Sequence, residues 1–222
     1  MKVVATMDTK TPSVVSVHCE DEDNIAFIKN ISYHSFLELL QKSTVEDENV
    51  TVRMGTLPEG WYDGGYNDVT GTYEAIIHVP AAEQPFNYYE KSYILPFPDL
   101  VFYLKAQKGR ITASKVFALA DPIKKGDRLY RYPYGNVYED GRICWGKNKK
   151  LPEITCFKDF EKVIQLFFAA ETNNDLYKSP NFSRNSEKVE LSQSELIQFL
   201  TGKTEFPVEI LNPSIKGTVE NL

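Results

Sequence analysis

The chain has 222 residues, of which 42% are hydrophobic and 25% are charged, and its formal net charge is −6. This length and composition indicate an ordinary globular protein that can bury a sizeable core. An acidic chain without a dense basic face is a poor candidate for direct nucleic-acid binding. No segment approaches the ~18 apolar residues of a membrane span, and the N-terminus has no apolar stretch of signal-peptide length. We therefore expect a cytoplasmic protein that does not bind membranes.

The cysteines of the chain, Cys19, Cys144 and Cys156, are odd in number and widely spaced. This arrangement argues against a disulfide framework and against a zinc site, which needs paired ligands. The sequence predicts neither a metal ion nor another cofactor. Lone cysteines in a reducing compartment are usually buried structural thiols, and this role is the default expectation for each of the three.

The first third of the chain is predicted to be mainly β structure with one short helix. Alternating residues rich in Val and Ile predict two strands around an acidic turn, and Ser35 with Glu38 forms a capping-box pattern for a helix. A third strand, a glycine-rich turn region and a fourth strand follow. The predicted ranges are 14–18 and 24–28 for the first two strands, 50–54 for the third, 55–71 for the turn region and 72–79 for the fourth strand.

Antiparallel strands are predicted to continue through the middle of the chain. Residues 80–92 are polar and contain proline, which predicts a loop. A strand over 95–104, a turn at 108–110 and a returning strand over 111–120 are predicted next.

Helices are predicted for the last part of the chain. Phenylalanines recur at helical spacing over 157–168, which predicts an amphipathic helix of about four turns. Ser192 and Glu195 form a second capping box before a predicted helix over 193–201. A polar loop is predicted over 172–188, and an extended tail is predicted from Glu205 onwards.

This order, with strands first and helices last, predicts an α+β fold in which an antiparallel sheet meander precedes C-terminal helices. The predicted division is a β-rich N-terminal part over 1–71 with one short helix, a core over 72–204 and an extended tail over 205–222.

The stretch 134–146 carries the most informative chemical pattern. Cys144 follows a short turn and stands close to a glycine, which favours a partly exposed thiol, and Asn136 on the incoming arm could present its amide to the same place. A thiolate that attacks an acyl carbon creates an oxyanion, and losing a fixed donor to it typically costs about a hundred- to thousandfold in rate. The pair therefore suits acyl transfer. The histidines, at 18, 34 and 78, all lie far upstream, so spacing does not support a Cys-His dyad.

This stretch resembles the active-site segment of ubiquitin-conjugating enzymes, in which an asparagine precedes the reactive cysteine by eight positions, as Asn136 precedes Cys144. An aliphatic residue after the asparagine, a turn glycine and an aliphatic residue before the cysteine also match, namely Val137, Gly141 and Ile143. The segment 95–102 is similar to the strand entry before that motif. The resemblance is strongest to a bacterial subgroup, the B protein of the PRTRC cassette, and covers roughly residues 95–182. The N-terminal third resembles no family.

The stretch also departs from the family pattern. Tyr134 and Gly135 stand where the eukaryotic enzymes have His-Pro, and Gly135 is expected to leave Asn136 less rigidly placed. Trp145 replaces the usual leucine. The N-terminal helix that meets the activating enzyme in the eukaryotic family is not evident.

The resemblance implies a ubiquitin-conjugating-enzyme-like fold and a thioester mechanism. Cys144 would accept the carboxyl terminus of a ubiquitin-like protein from the cysteine of a ThiF-type activating enzyme, and a lysine or another nucleophile would then attack the thioester. Asn136 would hold the oxyanion. Asp175, or alternatively Asp140, would help to deprotonate the acceptor.

Two other interpretations stay open from the sequence. The same fold could serve as a non-catalytic scaffold or adaptor that binds a ubiquitin-like protein or its activating enzyme, although inactive relatives normally lack the cysteine. A role in plasmid maintenance or DNA handling is suggested only by the gene neighbourhood of the resembling subgroup, and the acidic charge argues against direct DNA contact.

Overall fold

The computed structural model describes residues 2–7, 13–21, 24–42, 56–67, 70–124, 126–146 and 150–222. The chain forms two compact units, Met1–Arg53 and Met54–Leu222. In the described part of the first unit, three antiparallel strands pair in sequence order and one helix follows. These elements are β1 (Lys2–Met7), β2 (Val14–Asp21), β3 (Asn24–Ser32) and α1 (Tyr33–Lys42).

The first two predicted strands and the first predicted helix are thus present, but the helix begins earlier than its capping pattern indicated. Ser32, rather than Ser35, occupies the capping position, because the Ser32 hydroxyl accepts the backbone N–H of Ser35 at 3.0 Å. The strand predicted over 50–54 lies outside the described residues.

The second unit combines several sheets with two helices. Its described elements are β4 (Trp61–Asn67), β5 (Thr72–Val79), β6 (Ala82–Tyr88), β7 (Lys91–Phe97), β8 (Asp99–Gln107), β9 (Arg110–Leu119), β10 (Arg128–Tyr130), α2 (Phe160–Phe168), β11 (Glu171–Thr172), β12 (Phe182–Arg184), β13 (Glu187–Val189), α3 (Gln193–Leu200) and β14 (Pro213–Thr218). This content, mostly sheet with a few helices, agrees with the predicted α+β class.

The largest sheet of the described residues has six strands in the order β14-β10-β9-β8-β5-β4. The β6–β7 hairpin leaves this sheet between β5 and β8, and β6 also pairs in parallel with the short strand β11. β4 and β14 both belong to the large sheet. The predicted division assigns the residues of β4 to the N-terminal part and those of β14 to the tail, whereas the structure includes both strands in the second unit.

Two predictions for the middle of the chain are wrong. Residues 80–92 form most of the β6–β7 hairpin instead of a loop. The sequence is misleading here because the first part of β6 is exposed, so its residues are polar as those of a loop would be. The single strand predicted over 95–104 is divided between β7 and β8 at Pro98, which has no N–H to donate to a ladder. The turn at 108–110, the β9 strand and the β5 strand are where the sequence predicts them.

The core lies between the large sheet and the helices. The helix predicted over 157–168 is present as a 3₁₀ turn, Phe157–Asp159, that leads into α2. Its apolar face buries Phe160, Val163 and Phe167 against inward-facing strand residues such as Phe102. α3 buries Leu196, Ile197 and Leu200 in the same cluster, and its predicted capping box between Ser192 and Glu195 is present.

The segment from Glu205 is more structured than the predicted extended tail. It contains β14 and two 3₁₀ turns, Val208–Ile210 and Val219–Asn221, and buries Phe206, Ile210 and Leu211 in the core. The predicted loop over 172–188 likewise contains the small β12–β13 hairpin. Within the described ranges, no helix is long and apolar enough to cross a membrane.

Candidate active site

Asn136 and Cys144 are brought together at the open end of a tight hairpin. The backbone N–H of Cys144 donates to the carbonyl oxygen of Asn136 at 2.8 Å, and Val137 pairs with Ile143 in antiparallel fashion. Farther along, the N–H of Tyr138 donates to the carbonyl of Arg142 at 2.9 Å. The eight-residue spacing is therefore the length of a closed hairpin that returns the cysteine to the asparagine.

The hairpin is fixed to the edge of β9. The N–H of Ile143 donates to the carbonyl of Ser114 at 3.0 Å, and the N–H of Val116 donates to the carbonyl of Gly141 at 2.9 Å. Val137 and Ile143 are buried, so the hairpin is held by apolar packing as well as by the ladder. The thiol of Cys144 is consequently carried by backbone that the large sheet supports.

The turn glycine is required on two grounds. Gly141 has φ +85°, a conformation that residues with a side chain rarely adopt. A Cβ atom built on it would lie 2.1 Å from the ring of Phe117, which is buried in the sheet. This glycine is what lets the turn lie flat on β9.

Asn136 itself lies in the left-handed region at φ +65°, which asparagine tolerates better than most residues. Its side-chain Nδ2 donates to the carbonyl of Glu171 at 2.7 Å, and its backbone N–H donates to the carbonyl of Asp175 at 3.3 Å. With the bond from Cys144, Asn136 is held from three sides. These contacts support Asn136 in a way that the sequence pattern does not indicate, and the effect of Gly135 on its rigidity stays a prediction.

Gly135 allows a close approach between two segments. A Cβ atom at this position would lie 2.4 Å from the carbonyl oxygen of Asn173 and 2.9 Å from Oε1 of Gln193. The preceding residue, Tyr134, is an anchor in the core: its side chain is buried and its hydroxyl donates to the carbonyl of Pro96 at 2.9 Å. Burial raises the pKa of Tyr134 well above its ordinary value, so the hydroxyl stays protonated as a donor.

The Cys144 thiol is half-buried and faces an exposed phenol. The hydroxyl of Tyr138 donates to Sγ of Cys144 at a distance of 4.0 Å. This hydrogen bond is the main reason that the pKa of Tyr138 is raised. The guanidinium of Arg142 lies over the Tyr138 ring, 4.8 Å from its centroid. A cation and a hydroxyl therefore lie on the same side of the hairpin as the thiol.

The two acidic candidates for acceptor activation differ in what they contact. Asp140 pairs with Arg142, whose Nε donates at 2.7 Å and whose backbone N–H donates at 3.2 Å. Burial works to raise the pKa of Asp140, but these hydrogen bonds outweigh it and lower the pKa overall. Asp175 is exposed and accepts the amide of Asn173 at 3.3 Å, while its backbone carbonyl supports Asn136. Asp175 is therefore near the Asn136 side of the site, and Asp140 is committed to Arg142.

A shallow groove of about 280 Å³ runs beside the hairpin along β9. Ile111, Ile143 and Trp145 form part of its apolar surface, and Lys115 contributes a positive charge. The indole N–H of Trp145 donates to the Ser114 hydroxyl at 2.9 Å. This hydrogen bond attaches the residue that follows Cys144 to β9.

Sequence reasoning missed the residues that support Asn136 from the other side. Glu171 supplies a backbone carbonyl, and Gln193 at the start of α3 is buried behind Gly135. Both polar atoms of the Gln193 side chain lack a hydrogen-bond partner among the described residues. Since the contact of Asn136 with Glu171 spans 35 positions of sequence, no local pattern could have indicated it.

The other candidate groups do not join this site. Cys156 is half-buried instead of buried as expected. It directly precedes the 3₁₀ turn, and its N–H and thiol both donate to Asp159, the last residue of that turn. The side chain of Cys19 lies outside the described residues. His78 is paired with Asp99 at 2.6 Å on the large sheet. Across the described ranges, no group of three or more His, Cys, Asp and Glu side chains could hold a metal ion.

A protein-family model described as prokaryotic E2 family D matches residues 71–214, which is more than half of the chain. The matched range contains the Asn136–Cys144 hairpin, β9 and the 171–175 segment. No curated protein and no solved structure matches the chain.

Proposed function

The chain belongs to prokaryotic E2 family D, and from this premise we propose that it is a ubiquitin-conjugating-enzyme-like acyltransferase with Cys144 as its nucleophile. E2 denotes the ubiquitin-conjugating enzymes, so membership points to ubiquitin-like conjugation. The finer parts of the proposal are a thioester intermediate, a ThiF-type activating enzyme and a ubiquitin-like protein as partners, and a cytoplasmic location. They also include the closer relationship to the PRTRC B proteins and the sheet meander with C-terminal helices of that fold.

One observation carries the proposal. Cys144 presents a half-buried thiol at the end of a hairpin whose other arm carries Asn136, and the two residues are joined by a 2.8 Å backbone hydrogen bond. Cys156 is equally half-buried, but its thiol donates to Asp159. What sets Cys144 apart is the asparagine on the facing arm of its hairpin, whose amide suits acyl transfer.

The first step would be a thioester exchange. The Cys144 thiolate attacks the carbonyl carbon of the ubiquitin-like C-terminus, a new S–C bond forms, and the S–C bond to the cysteine of the activating enzyme breaks. The released cysteine takes up a proton. In the second step the nitrogen of an acceptor amine attacks the same carbon, an amide forms, and Cys144 leaves as the thiolate while the amine loses a proton.

The surrounding groups would assist through charge and position. Each attack places negative charge on the carbonyl oxygen, and an amide N–H in a fixed position stabilises that charge. One N–H of the Asn136 amide is used by Glu171, which leaves the second for the oxyanion, since a carboxamide has two donors. Asp175, exposed on the segment that supports Asn136, would receive the proton of the acceptor.

The proposal is tested by incubating the protein with ATP, Mg²⁺, and the ThiF-type enzyme and ubiquitin-like protein encoded in the same genome. A non-reducing gel should show an adduct of the two proteins that a thiol reductant removes. Cys144→Ala should abolish this adduct, and Cys156→Ser should retain it because its thiol is engaged with Asp159.

A reductant-sensitive adduct that persists in Cys144→Ala would contradict the assignment of the nucleophile. Stable non-covalent binding of the ubiquitin-like protein, without any adduct under these conditions, would favour the scaffold or adaptor function instead.

A further inference from the structure

The tip of the β6–β7 hairpin has an unusual backbone for its sequence. Its two loop residues, Tyr89 and Glu90, both lie in the left-handed region, with φ +42° and +58°. A two-residue loop with positive φ at both positions is a type I′ turn, in which Asn-Gly is strongly preferred. A tyrosine and a glutamate there are strained, and such strain persists only where surrounding contacts fix the conformation.

Those contacts come from the segment 171–174. The hydroxyl of Tyr88 donates to Oδ1 of Asn174 at 2.8 Å, and the backbone N–H of Asn174 donates to the hydroxyl of Tyr89 at 3.4 Å. The two phenols therefore hold Asn174 by its side chain and its backbone together. The Tyr88 and Tyr89 rings also pack on each other with centroids 4.7 Å apart.

The backbone of the tip binds the same segment. The N–H of Tyr89 donates to the carbonyl of Thr172 at 3.4 Å, and the N–H of Glu90 donates to the Glu171 carboxylate at 3.3 Å. β11 pairs in parallel with the end of β6, with Thr172 opposite Tyr88. The short strand β11 is thus attached to the hairpin tip.

The same segment holds Asn136 from its other side. Glu171 and Asp175 provide the two carbonyl oxygens that accept the side-chain and backbone N–H groups of Asn136. Asn174, held by the phenols, lies between these two acceptors in sequence. A continuous set of hydrogen bonds therefore runs from the hairpin tip to the asparagine next to Cys144.

We propose that Tyr88 and Tyr89 are positioning residues for the transfer step, which fix Asn136 through the segment 171–175. This inference rests on the proposed function for its catalytic part. The hydroxyls do not touch the reacting atoms, and they act by limiting the places that the Asn136 amide can occupy. Their loss should slow the attack on the thioester carbonyl, which the discharge of the preformed Cys144 thioester measures directly.

The first test removes one hydroxyl. Tyr88→Phe keeps the ring and loses the bond to Asn174, and Tyr93→Phe on β7 is the matched control, because its hydroxyl has no hydrogen-bond partner among the described residues. The Cys144 thioester is formed as above, separated from ATP, and discharged with hydroxylamine. We expect Tyr88→Phe to discharge about threefold to tenfold more slowly than the wild type, while Tyr93→Phe discharges at the wild-type rate.

A double-mutant comparison separates positioning from a general structural effect. In an Asn136→Gly background, where the amide is absent, Tyr88→Phe should have no further effect on discharge. An equal slowing in both backgrounds, or wild-type discharge by Tyr88→Phe alone, would overturn the inference.

The second test gives the turn a sequence that favours its backbone conformation and removes the Tyr89 hydroxyl, which accepts the N–H of Asn174. The double variant Tyr89→Asn/Glu90→Gly supplies the preferred type I′ pair and lacks the Tyr89 hydroxyl. We expect its thermal midpoint to equal or exceed that of the wild type and its discharge to be slower. A variant that is as stable and discharges as fast would contradict the role of Tyr89.

A third measurement needs no partner protein and therefore separates failure of the inference from failure of the proposed function. Hydrogen exchange of the backbone N–H of Asn136, which donates to the carbonyl of Asp175, should be faster in Tyr88→Phe than in the wild type. The exchange rate should be unchanged in Tyr93→Phe. Unchanged exchange in Tyr88→Phe would overturn the inference even if Cys144 carries a thioester, and faster exchange would support it even if no thioester forms.

Discussion

The substitution Gly141→Ala tests whether the turn of the nucleophile hairpin is held against β9 as the structure shows. Two separate penalties apply to the new methyl group. The backbone at Gly141 has φ +85°, and a built Cβ lies 2.1 Å from the Phe117 ring, with two further ring carbons at 2.5 and 2.7 Å. The Phe117 ring is buried in the sheet, so it cannot move aside into solvent.

The magnitude follows from adding these terms. A left-handed conformation costs a residue with a side chain roughly 1–2 kcal/mol, and overpacking a filled core costs about 1–3 kcal/mol. Gly141→Ala should therefore lower the free energy of unfolding by about 2–5 kcal/mol. Gly202→Ala is the matched control, because Gly202 has a similar φ of +82° with nothing within 4 Å of its built Cβ. It should show the backbone penalty alone.

The assay is urea unfolding of the full chain, followed by far-ultraviolet circular dichroism for the wild type and both variants. The difference between the two variants isolates the contact with Phe117 and should be about 1–3 kcal/mol. Equal destabilisation by Gly141→Ala and Gly202→Ala would refute the close packing of the hairpin on β9.

Three further predictions concern single polar groups. Gln193→Met should raise the free energy of unfolding by about 1 kcal/mol, because it replaces a buried amide that lacks partners among the described residues; lower stability in urea unfolding would show that the amide is paired. Hydrogen bonds to the Asp159 carboxylate, with that of Lys162 the largest, hold its pKa well below the usual range. The ionised carboxylate therefore stabilises the folded state at pH values above its unfolded pKa of about 3.9, and this stabilisation is lost as the pH falls through the lower folded pKa. Asp159→Asn should therefore lower the thermal midpoint at pH 7 and reduce the loss of stability below about pH 4, and unchanged thermal unfolding at both pH values would contradict this. Asn136→Gly, which keeps the left-handed backbone without strain, should slow thioester discharge about a hundredfold in a single-turnover assay, and wild-type discharge would remove Asn136 from the mechanism.

The parts of the fold that the sequence predicts correctly are those fixed by local patterns. The hairpin from Asn136 to Cys144 closes within nine residues, so its spacing and its glycine are visible in the chain itself. The amphipathic helix that ends at Phe168 and the capping box at Ser192 also depend on residues only a few positions apart in the sequence. β5 and β9 are recognisable because their buried and exposed residues alternate in part.

The features that sequence reasoning missed depend on contacts between distant segments. The β6–β7 hairpin is polar where it faces solvent, and its turn has a tyrosine and a glutamate in place of the residues that signal a type I′ loop. The contact between Tyr88 and Asn174 spans 86 residues. The close approach of Asn173 and Gln193 to Gly135 is likewise invisible in the sequence, because both residues lie more than 35 positions downstream.

The most direct measurement of the central claim is the chemical nature of the bond at position 144. When loaded under the same conditions, Cys144→Ser should give an adduct of the same size, now an oxyester, because a serine hydroxyl replaces the thiol. We predict that this adduct survives a thiol reductant and is cleaved by mild alkali, whereas the wild-type adduct is removed by the reductant. A Cys144→Ser protein that still forms a reductant-sensitive adduct would show that another cysteine carries the ubiquitin-like protein, and the account of Cys144 would be wrong.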